Sequence, residues 1–151
     1  MDKESQEIKS LVLEPVYYKG LIYRYNDDYI FFTTYDSVFN NLKNEIYVYV
    51  VKSKTVEKIN INLKGIGLPN ELSLRFDNAD IFEDILYFPT YPKRYGKDPN
   101  YILSYNFRTL ELRKMFKLND PALEIFIDGG YLYFESGTIY GNSVAYRIKL
   151  K

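Results

Sequence analysis

The sequence predicts an all-β fold of antiparallel strands arranged in about three similar sheet units. Apolar and polar residues alternate along several segments, as in "SVAYRIKLK" at 143–151, and a period of two is typical of strands. Convincing helical periodicity is scarce. One pattern also occurs three times, with acidic or glycine turn residues before an aromatic strand: "DDYIFFTTYD" at 27–36, "EDILYFPTYP" at 83–92 and "DGGYLYFESG" at 128–137.

The first unit is predicted to contain four strands. They are expected at residues 21–26, 29–35, 45–51 and 55–63. A tight turn at Asp27 and Asp28 joins the first two strands, because Asp side chains bond to nearby backbone N–H groups. The glycine-containing segment "KGIGLPN" at 64–70 is interpreted as the connection to the second unit, since it lacks the Gly-Lys-Ser/Thr ending of a phosphate-binding loop.

The second and third units are predicted to follow the same order. The strands of the second unit are expected at 71–76 or 79–83, and then at 85–90, 101–107 and 109–118. Those of the third are expected at 123–127, 131–135 and 143–150, with no fourth strand in this sequence. Residues 10–16, "SLVLEPV", are predicted to be a spare strand. At most a short helix is expected, near 37–43 or in the N-terminal tail.

Units one and two have identical residues at an offset of 56 positions. The identities include Asp28 and Asp84, Phe32 and Phe88, Thr34 and Thr90, Tyr35 and Tyr91, Asn44 and Asn100, and Tyr49 and Tyr105. Roughly one or two are expected by chance over such a length, so the two segments are interpreted as a repeat. The third unit is aligned with them through residues 131–134 and through Tyr146, which is taken as the equivalent of Tyr49 and Tyr105.

These residues resemble the blades of a divergent β-propeller of the kelch type, over about residues 21–150. In that family an Asp-Gly turn precedes an apolar strand, as Asp128-Gly129-Gly130 precedes "YLYF" here. A later strand ends in tyrosine, as at Tyr49, Tyr105 and Tyr146. The family's double glycine is replaced by "TTY", "PTY" and "ESG", and its tryptophan is absent. The resemblance therefore implies a blade architecture and no particular activity.

Three units pose a geometric problem, because propellers typically have about four to eight blades around a channel. One solution is a homo-oligomer in which two copies form a six-bladed ring and the strand at 10–16 completes the last blade. The alternative fold is a β-sandwich or barrel. Exposed sheet faces rich in Tyr and Ile favour self-association. The chain is accordingly divided into an N-terminal tail and closing strand at 1–16 and one all-β repeat domain at 17–151.

The composition excludes several classes of chemistry. Lys and Arg total 20, as do Asp and Glu, so the formal net charge is zero and no overall field attracts nucleic acid or an anionic membrane. The absence of cysteine and histidine excludes disulfides, Ser-His-Asp triads and most zinc sites. No cofactor is expected. The many Tyr, Phe, Lys, Asn and Ile residues are read from AT-rich codons and indicate an AT-rich genome.

No secretory signal or membrane-spanning segment is expected. The N-terminus, "MDKESQEIKSLVLEP", lacks the apolar core of a signal peptide. No run approaches the roughly 18 apolar residues of a transmembrane helix. An intracellular or virion-associated protein without a membrane partner is therefore expected.

The main candidate binding site is the loop "TYPKRYGKDPNY" at 90–101. Its candidate residues are Tyr91, Lys93, Arg94, Tyr95 and Lys97. Cations beside aromatic rings are typical of protein hot spots, and of surfaces that stack on bases while contacting phosphates. A solvated loop without a binding role is the alternative.

Acidic residues offer an enzymatic interpretation, because paired carboxylates can hold Mg²⁺ or Ca²⁺ or hydrolyse glycosides. The acids considered are Asp27, Asp28, Asp77, Asp80, Glu83, Asp84 and Asp128. Several occupy equivalent turns, where backbone conformation already explains them, so no metal site is assigned. A nuclease-like set, Asp98 with Glu111, Arg113 and Lys114, has Arg where metal nucleases carry Lys.

Three functions therefore compete. A non-enzymatic protein-interaction or structural module fits best, because the strand-joining loops at 37–44, 91–100 and 135–142 are expected at one end of the sheets, where a protein partner can reach them. A viral or host-interaction role is compatible with it. A carboxylate- or metal-dependent hydrolase or nuclease is one alternative, and a nucleic-acid-binding protein is another. The missing histidine weighs against the former and the zero net charge against the latter.

Overall fold

A computed structural model describes residues 20–34, 45–91, 97–137 and 141–150. Within these ranges twelve strands form three antiparallel sheets, so the predicted all-β, antiparallel class with about three sheet units is confirmed. The helical segments described are two short 3-10 turns, Leu63–Ile66 and Phe76–Asn78, and no described helix is long and apolar enough to cross a membrane. The strand predicted at 10–16 and the helix near 37–43 lie outside the described residues.

The first sheet contains four strands in chain order, and each pairs with the next. They are β1 (Gly20–Tyr25), β2 (Tyr29–Thr34), β3 (Glu45–Val50) and β4 (Thr55–Asn60). The turn between β1 and β2 is held by Asn26, whose Oδ1 accepts hydrogen bonds from the backbone N–H groups of Asp28 and Tyr29 at 3.0 and 2.8 Å. A polar side chain at this point therefore replaces the backbone partners that the turn removes.

The second sheet has the order β5–β7–β8–β9, and β6 also pairs with β7. Its strands are β5 (Ser73–Leu74), β6 (Asp80–Phe82), β7 (Ile85–Tyr91), β8 (Asn100–Asn106) and β9 (Glu111–Leu118). The sequence predicted one strand, at 71–76 or at 79–83. Both segments contain a short strand beside β7, and the 3-10 turn at Phe76–Asn78 separates them.

The third sheet has three strands in chain order. They are β10 (Ala122–Asp128), β11 (Tyr131–Ser136) and β12 (Val144–Lys149). Gly129 and Gly130 form the hairpin between β10 and β11 with φ angles of 54° and 77°, the positive values that this two-residue turn requires. Among the described residues β12 pairs only with β11, and no sheet closes on itself.

The sheets stack face to face, and the second sheet is covered on both sides. The core between the first and second sheets includes Phe31, Val48, Leu86, Phe88 and Leu103. The core between the second and third includes Tyr87, Ile102, Ile125, Leu132 and Phe134. Burial is therefore almost continuous along β7 and β8, whereas β11 alternates between buried and half-exposed residues, as expected for a sheet with one covered face.

The pairing of β2 with β3 recurs 56 residues later in β7 and β8. Tyr29 lies opposite Val50, and Ile85 lies opposite Asn106. The turns that precede these strands are also alike, since the Asp28 and Asp84 carbonyl groups accept hydrogen bonds from Val51 and Phe107 at 2.9 and 2.8 Å. The two sheets therefore share register as well as strand order.

The third sheet corrects one detail of the sequence alignment. Leu86 lies opposite Tyr105 in the second sheet, and its counterpart Leu132 lies opposite Ile148 in the third. The residue equivalent to Tyr105 is thus Ile148, and the alignment of Tyr146 with Tyr105 is wrong by two residues. Strand alternation hides such an error, because a shift of two keeps each side chain on the same face.

Candidate partner-binding surface

The predicted loop site is described only at its two ends. Lys93, Arg94 and Tyr95 lie outside the described residues. Tyr91 is the last residue of β7, and Lys97 is exposed shortly before β8 begins. The structure therefore places the two described ends of the loop at one end of the middle sheet.

Each end of this loop carries a cation above an aromatic ring. The Arg75 guanidinium lies 5.3 Å from the ring centroid of Tyr91. The Lys114 ammonium lies 5.7 Å from the ring centroid of Tyr101. Such contacts stabilise exposed sites by only about 0.5–1 kcal/mol, and each keeps a cation close to one end of the loop.

Thr90 holds the two ends of the loop together. Its hydroxyl is buried, accepts a hydrogen bond from the Tyr101 N–H at 2.9 Å and donates to the Pro99 carbonyl at 3.3 Å. Asn100 lies next to this bridge, pairs with Leu118 and donates to the Asn119 carbonyl at 3.3 Å. The base of the loop is therefore joined to the end of β9.

The acidic turn residues bind parts of the fold to one another. The Asp84 carboxylate accepts a hydrogen bond from the Tyr29 hydroxyl and forms an ion pair with Arg108, both at 2.8 Å. Burial, together with this hydrogen bond, raises the pKa of Tyr29. Asn26 donates to the Glu83 carbonyl at 3.1 Å, so both contacts link the first sheet to the second. In the described ranges no three acidic residues come close enough together to hold a metal ion.

The nuclease-like residues of β9 do not converge. Arg113 donates to the Glu111 carboxylate at 2.5 Å, and this bond lowers the pKa of Glu111 and raises that of Arg113. Lys114 leaves the strand on the opposite face, where it lies over Tyr101. These side chains form an exposed ion pair and a separate cation–ring contact.

The third sheet has one edge that side chains of the second sheet cover. Asn78 Oδ1 accepts a hydrogen bond from the Ile125 N–H at 2.8 Å, and its Nδ2 donates to the Leu123 carbonyl at 3.0 Å. Asp80 accepts from the Ile127 N–H at 2.7 Å. These polar side chains replace a neighbouring strand along β10. The sequence interpretation counted Asp80 among metal-binding candidates and did not consider Asn78.

The opposite edge of the third sheet, along β12, is open among the described residues. The Leu150 N–H donates to the Gly130 carbonyl at 2.9 Å, on the side of β11. Successive residues of an antiparallel strand point their backbone groups to opposite sides. The N–H and C=O groups of Ala145, Arg147 and Lys149 therefore point away from β11. The corresponding strands β3 and β8 pair on both sides.

A groove runs beside this open edge, between β12 and β9. It consists of two adjoining cavities of about 500 and 350 Å³ that share Phe116 and Ile148. Its apolar lining also includes Met115, Val144 and Tyr146, all of which are large side chains left exposed. One end carries the Glu111–Arg113 pair, and the other reaches Leu118 and Asn119 beside the base of the loop at 90–101.

Aromatic stacking fixes the shape of the groove wall. Phe134 lies parallel to Tyr146 with ring centroids 4.8 Å apart, and it also stacks on Phe116 at 6.3 Å. The Phe134 ring is buried, while Tyr146 keeps 44% of its surface exposed. The exposed ring is therefore held by a buried one and does not need to reorder when a ligand covers it, which lowers the cost of binding.

The outer face of the third sheet, away from the groove, is also aromatic. The rings of Phe126 and Tyr133 are stacked at 4.9 Å, and Phe126 is among the exposed large apolar side chains. The Arg147 guanidinium lies 3.8 Å from the ring centroid of Tyr131. The open edge thus separates two surfaces with exposed apolar groups.

Sequence reasoning missed the groove. Alternation places Val144, Tyr146 and Ile148 on one face of a strand, but it does not show that this face borders a groove. Comparison with protein-family models and with curated proteins finds no match for this chain. The geometry of the described surfaces is therefore the basis for inferring what this chain does.

Proposed function

We propose that this chain is a non-enzymatic protein-interaction module that binds an extended segment of a protein partner as an additional strand beside β12. The observation that carries the proposal is that a strand edge, open among the described residues, borders a groove in which apolar side chains are exposed. On this view the three stacked sheets are blades of a partial, kelch-like β-propeller, and the register shared by the first and second sheets supports that architecture.

The edge and the groove perform different parts of the recognition. Backbone groups of Ala145, Arg147 and Lys149 pair with the bound segment, whatever its sequence, and fix its register. Alternate side chains of that segment enter the groove beside Val144, Tyr146 and Ile148. An apolar side chain fully buried there contributes on the order of 1.5–3 kcal/mol, so these positions of the bound segment favour apolar residues.

The loop at 90–101 extends this surface. Its base lies next to Leu118 and Asn119, which line one end of the groove. A bound strand that leaves the groove at this end runs toward the base of the loop. Lys93, Arg94 and Tyr95 lie outside the described residues, and their part in binding stays a prediction.

The other two functions have less support. The turn carboxylates of Asp80 and Asp84 already bind backbone and side-chain groups within the fold, which weighs against a hydrolase or nuclease. The zero net charge weighs against a nucleic-acid binder, because phosphate neutralisation supplies much of that affinity.

A selection from a displayed library of random linear peptides tests the proposal. The immobilised protein should enrich peptides in which apolar residues alternate. These peptides should bind at least about tenfold more weakly to the Ala145→Pro variant, a loss of about 1.4 kcal/mol. Proline removes the N–H that faces the bound strand, yet it leaves the groups that pair with β11 intact.

The matched control is Ala145→Ser, which keeps the N–H and should bind the peptides as the unaltered protein does. Both variants should retain the all-β circular dichroism spectrum. The proposal is overturned if no alternating peptide is enriched, or if the enriched peptides bind Ala145→Pro and Ala145→Ser equally well.

A further inference from the structure

We infer that the segment bound beside β12 is residues 10–16 of a second copy of this chain. The inference rests on the proposed function, because it uses the same open edge and groove. It identifies the segment that occupies the edge, and it implies that two copies of the chain exchange this segment.

The chemistry of residues 10–16 matches the two sides of the edge. In an extended "SLVLEPV", Leu11 and Leu13 lie on one face, and Val12 and Glu14 lie on the other. The leucines suit the groove formed by Met115, Phe116 and Tyr146. Glu14 then lies on the face where β12 carries the exposed cations Arg147 and Lys149.

The length and the proline of this segment also fit. Its seven residues are enough to follow β12, which has six. Added to β12, the segment becomes the outermost strand of the sheet. Pro15 has no N–H group to donate, and proline is tolerated in an edge strand when that position faces solvent.

The reach of the chain assigns the segment to a second copy. Gly20 begins β1 in the first sheet, which packs on one face of the second sheet, while the third sheet packs on the other face. Stacked sheets are about 10 Å apart, so the first and third are separated by roughly 20 Å. The four residues from Val16 to Gly20 span at most about 14 Å. A molecule therefore cannot place its own residues 10–16 beside its own β12.

An exchange of residues 10–16 between two copies fills the β12 edge of each copy. The first copy donates residues 10–16 to the β12 edge of the second and receives the same segment in return, as a closed two-fold assembly requires. A second copy also brings a surface to the outer face of the third sheet, where the Phe126 ring on β10 is exposed and stacks on Tyr133. A short peptide from an unrelated protein covers the groove alone.

Two complementary variants test the exchange by sedimentation velocity or light scattering. Ala145→Pro damages the receiving edge and keeps the donated segment. The double variant Leu11→Asp with Leu13→Asp damages the donated segment and keeps the edge. The unaltered chain and Ala145→Ser should be dimers. Each damaged variant alone should be a monomer that retains its β spectrum.

The two damaged variants, mixed in equal amounts, should form a one-to-one dimer. One intact donor and one intact edge remain in the mixture, so one of the two contacts is restored. A synthetic peptide of residues 8–18 should bind the double variant and compete with this dimer. The same peptide with both leucines changed to Asp should do neither.

The outcomes separate this inference from the proposed function when the peptide library is also selected on the Leu11→Asp, Leu13→Asp variant, whose β12 edge is free of the donated segment. A monomeric unaltered chain overturns the exchange, and so does a dimer that both damaged variants retain or a mixture that stays monomeric. In each of these cases the proposed function still stands if Ala145→Pro abolishes binding of the library peptides. If library peptides bind Ala145→Pro normally, the proposed function fails as well, whatever the mass of the chain.

Discussion

Replacing Asn78 by alanine should destabilise the protein by about 2–4 kcal/mol. The largest part comes from the backbone N–H of Ile125, a residue that is 1% exposed and loses its bond to Asn78 Oδ1. An unpaired buried donor costs about 1–3 kcal/mol. Leu123 is a residue that is 37% exposed, so its carbonyl can bond to water instead. The loss of its bond to Asn78 therefore adds only about 0.5–1 kcal/mol to the destabilisation.

Urea denaturation followed by far-UV circular dichroism measures this loss. The midpoint should fall while the slope against denaturant stays the same, because the surface exposed on unfolding is nearly unchanged. For a chain of this size the melting temperature should fall by roughly 5–15 °C, at about 2–4 °C per kcal/mol.

The matched control is Asp77→Ala, one residue away. Its ion pair with Arg75 joins side chains that are 49% and 42% exposed, and such pairs contribute about 0–1 kcal/mol. If Asn78→Ala costs no more than Asp77→Ala, the side chain of Asn78 does not hold the edge of β10. The β10 edge would then not be covered by the Asn78 side chain in the way that these hydrogen bonds indicate.

Two further changes test local features of the fold. Leu110→Gly should raise the melting temperature by about 2–4 °C in calorimetry. Leu110 has a φ of 58°, a conformation that costs a non-glycine residue about 1–2 kcal/mol, and the greater freedom of glycine in the unfolded chain cancels only part of this gain. A fall in melting temperature would contradict the prediction. Burial raises the pKa of Tyr87 above its usual value of 10.0. The stabilisation that comes from keeping this side chain neutral is therefore fully present below pH 10, and it is lost at higher pH as the tyrosine ionises in the unfolded chain. Tyr87→Phe should therefore lose less stability than the unaltered chain between pH 8 and pH 11, and identical losses would contradict this.

The strands were predictable because two independent signals marked them. Alternation set the faces and turn residues set the ends, so the strand predicted at 131–135 is β11, Tyr131–Ser136. The prediction failed where one signal was missing. Residues 71–83 contain two short strands and a 3-10 turn, and none of these is long enough to show a period. The alignment of Tyr146 failed because a shift of two residues preserves alternation.

The candidate surface was less predictable, because it depends on which strand edges remain free. The loop at 90–101 is visible as a composition of cations and tyrosines in one segment. The groove joins β9 and β12, which are apart in the sequence, and an apolar face gives no sign of whether a neighbour covers it. The role of Asn78 could not be predicted from the sequence either, because its hydrogen bonds to β10 depend on a strand that is distant in the sequence.

The charges on the edge strands give an independent reason to single out β12. Natural sheets discourage unwanted pairing by placing charged residues, especially lysine, on exposed edge strands. The edge strand β9, "ELRKMFKL", carries Glu111, Arg113, Lys114 and Lys117, and β4, "TVEKIN", carries adjacent opposite charges. The first half of β12 is Val144-Ala145-Tyr146, without a charge, a proline or a bulge in its pairing with β11. The two charges of this strand, Arg147 and Lys149, follow in the second half. The uncharged first half, which borders the groove at Val144 and Tyr146, is consistent with an edge that is occupied in the working protein.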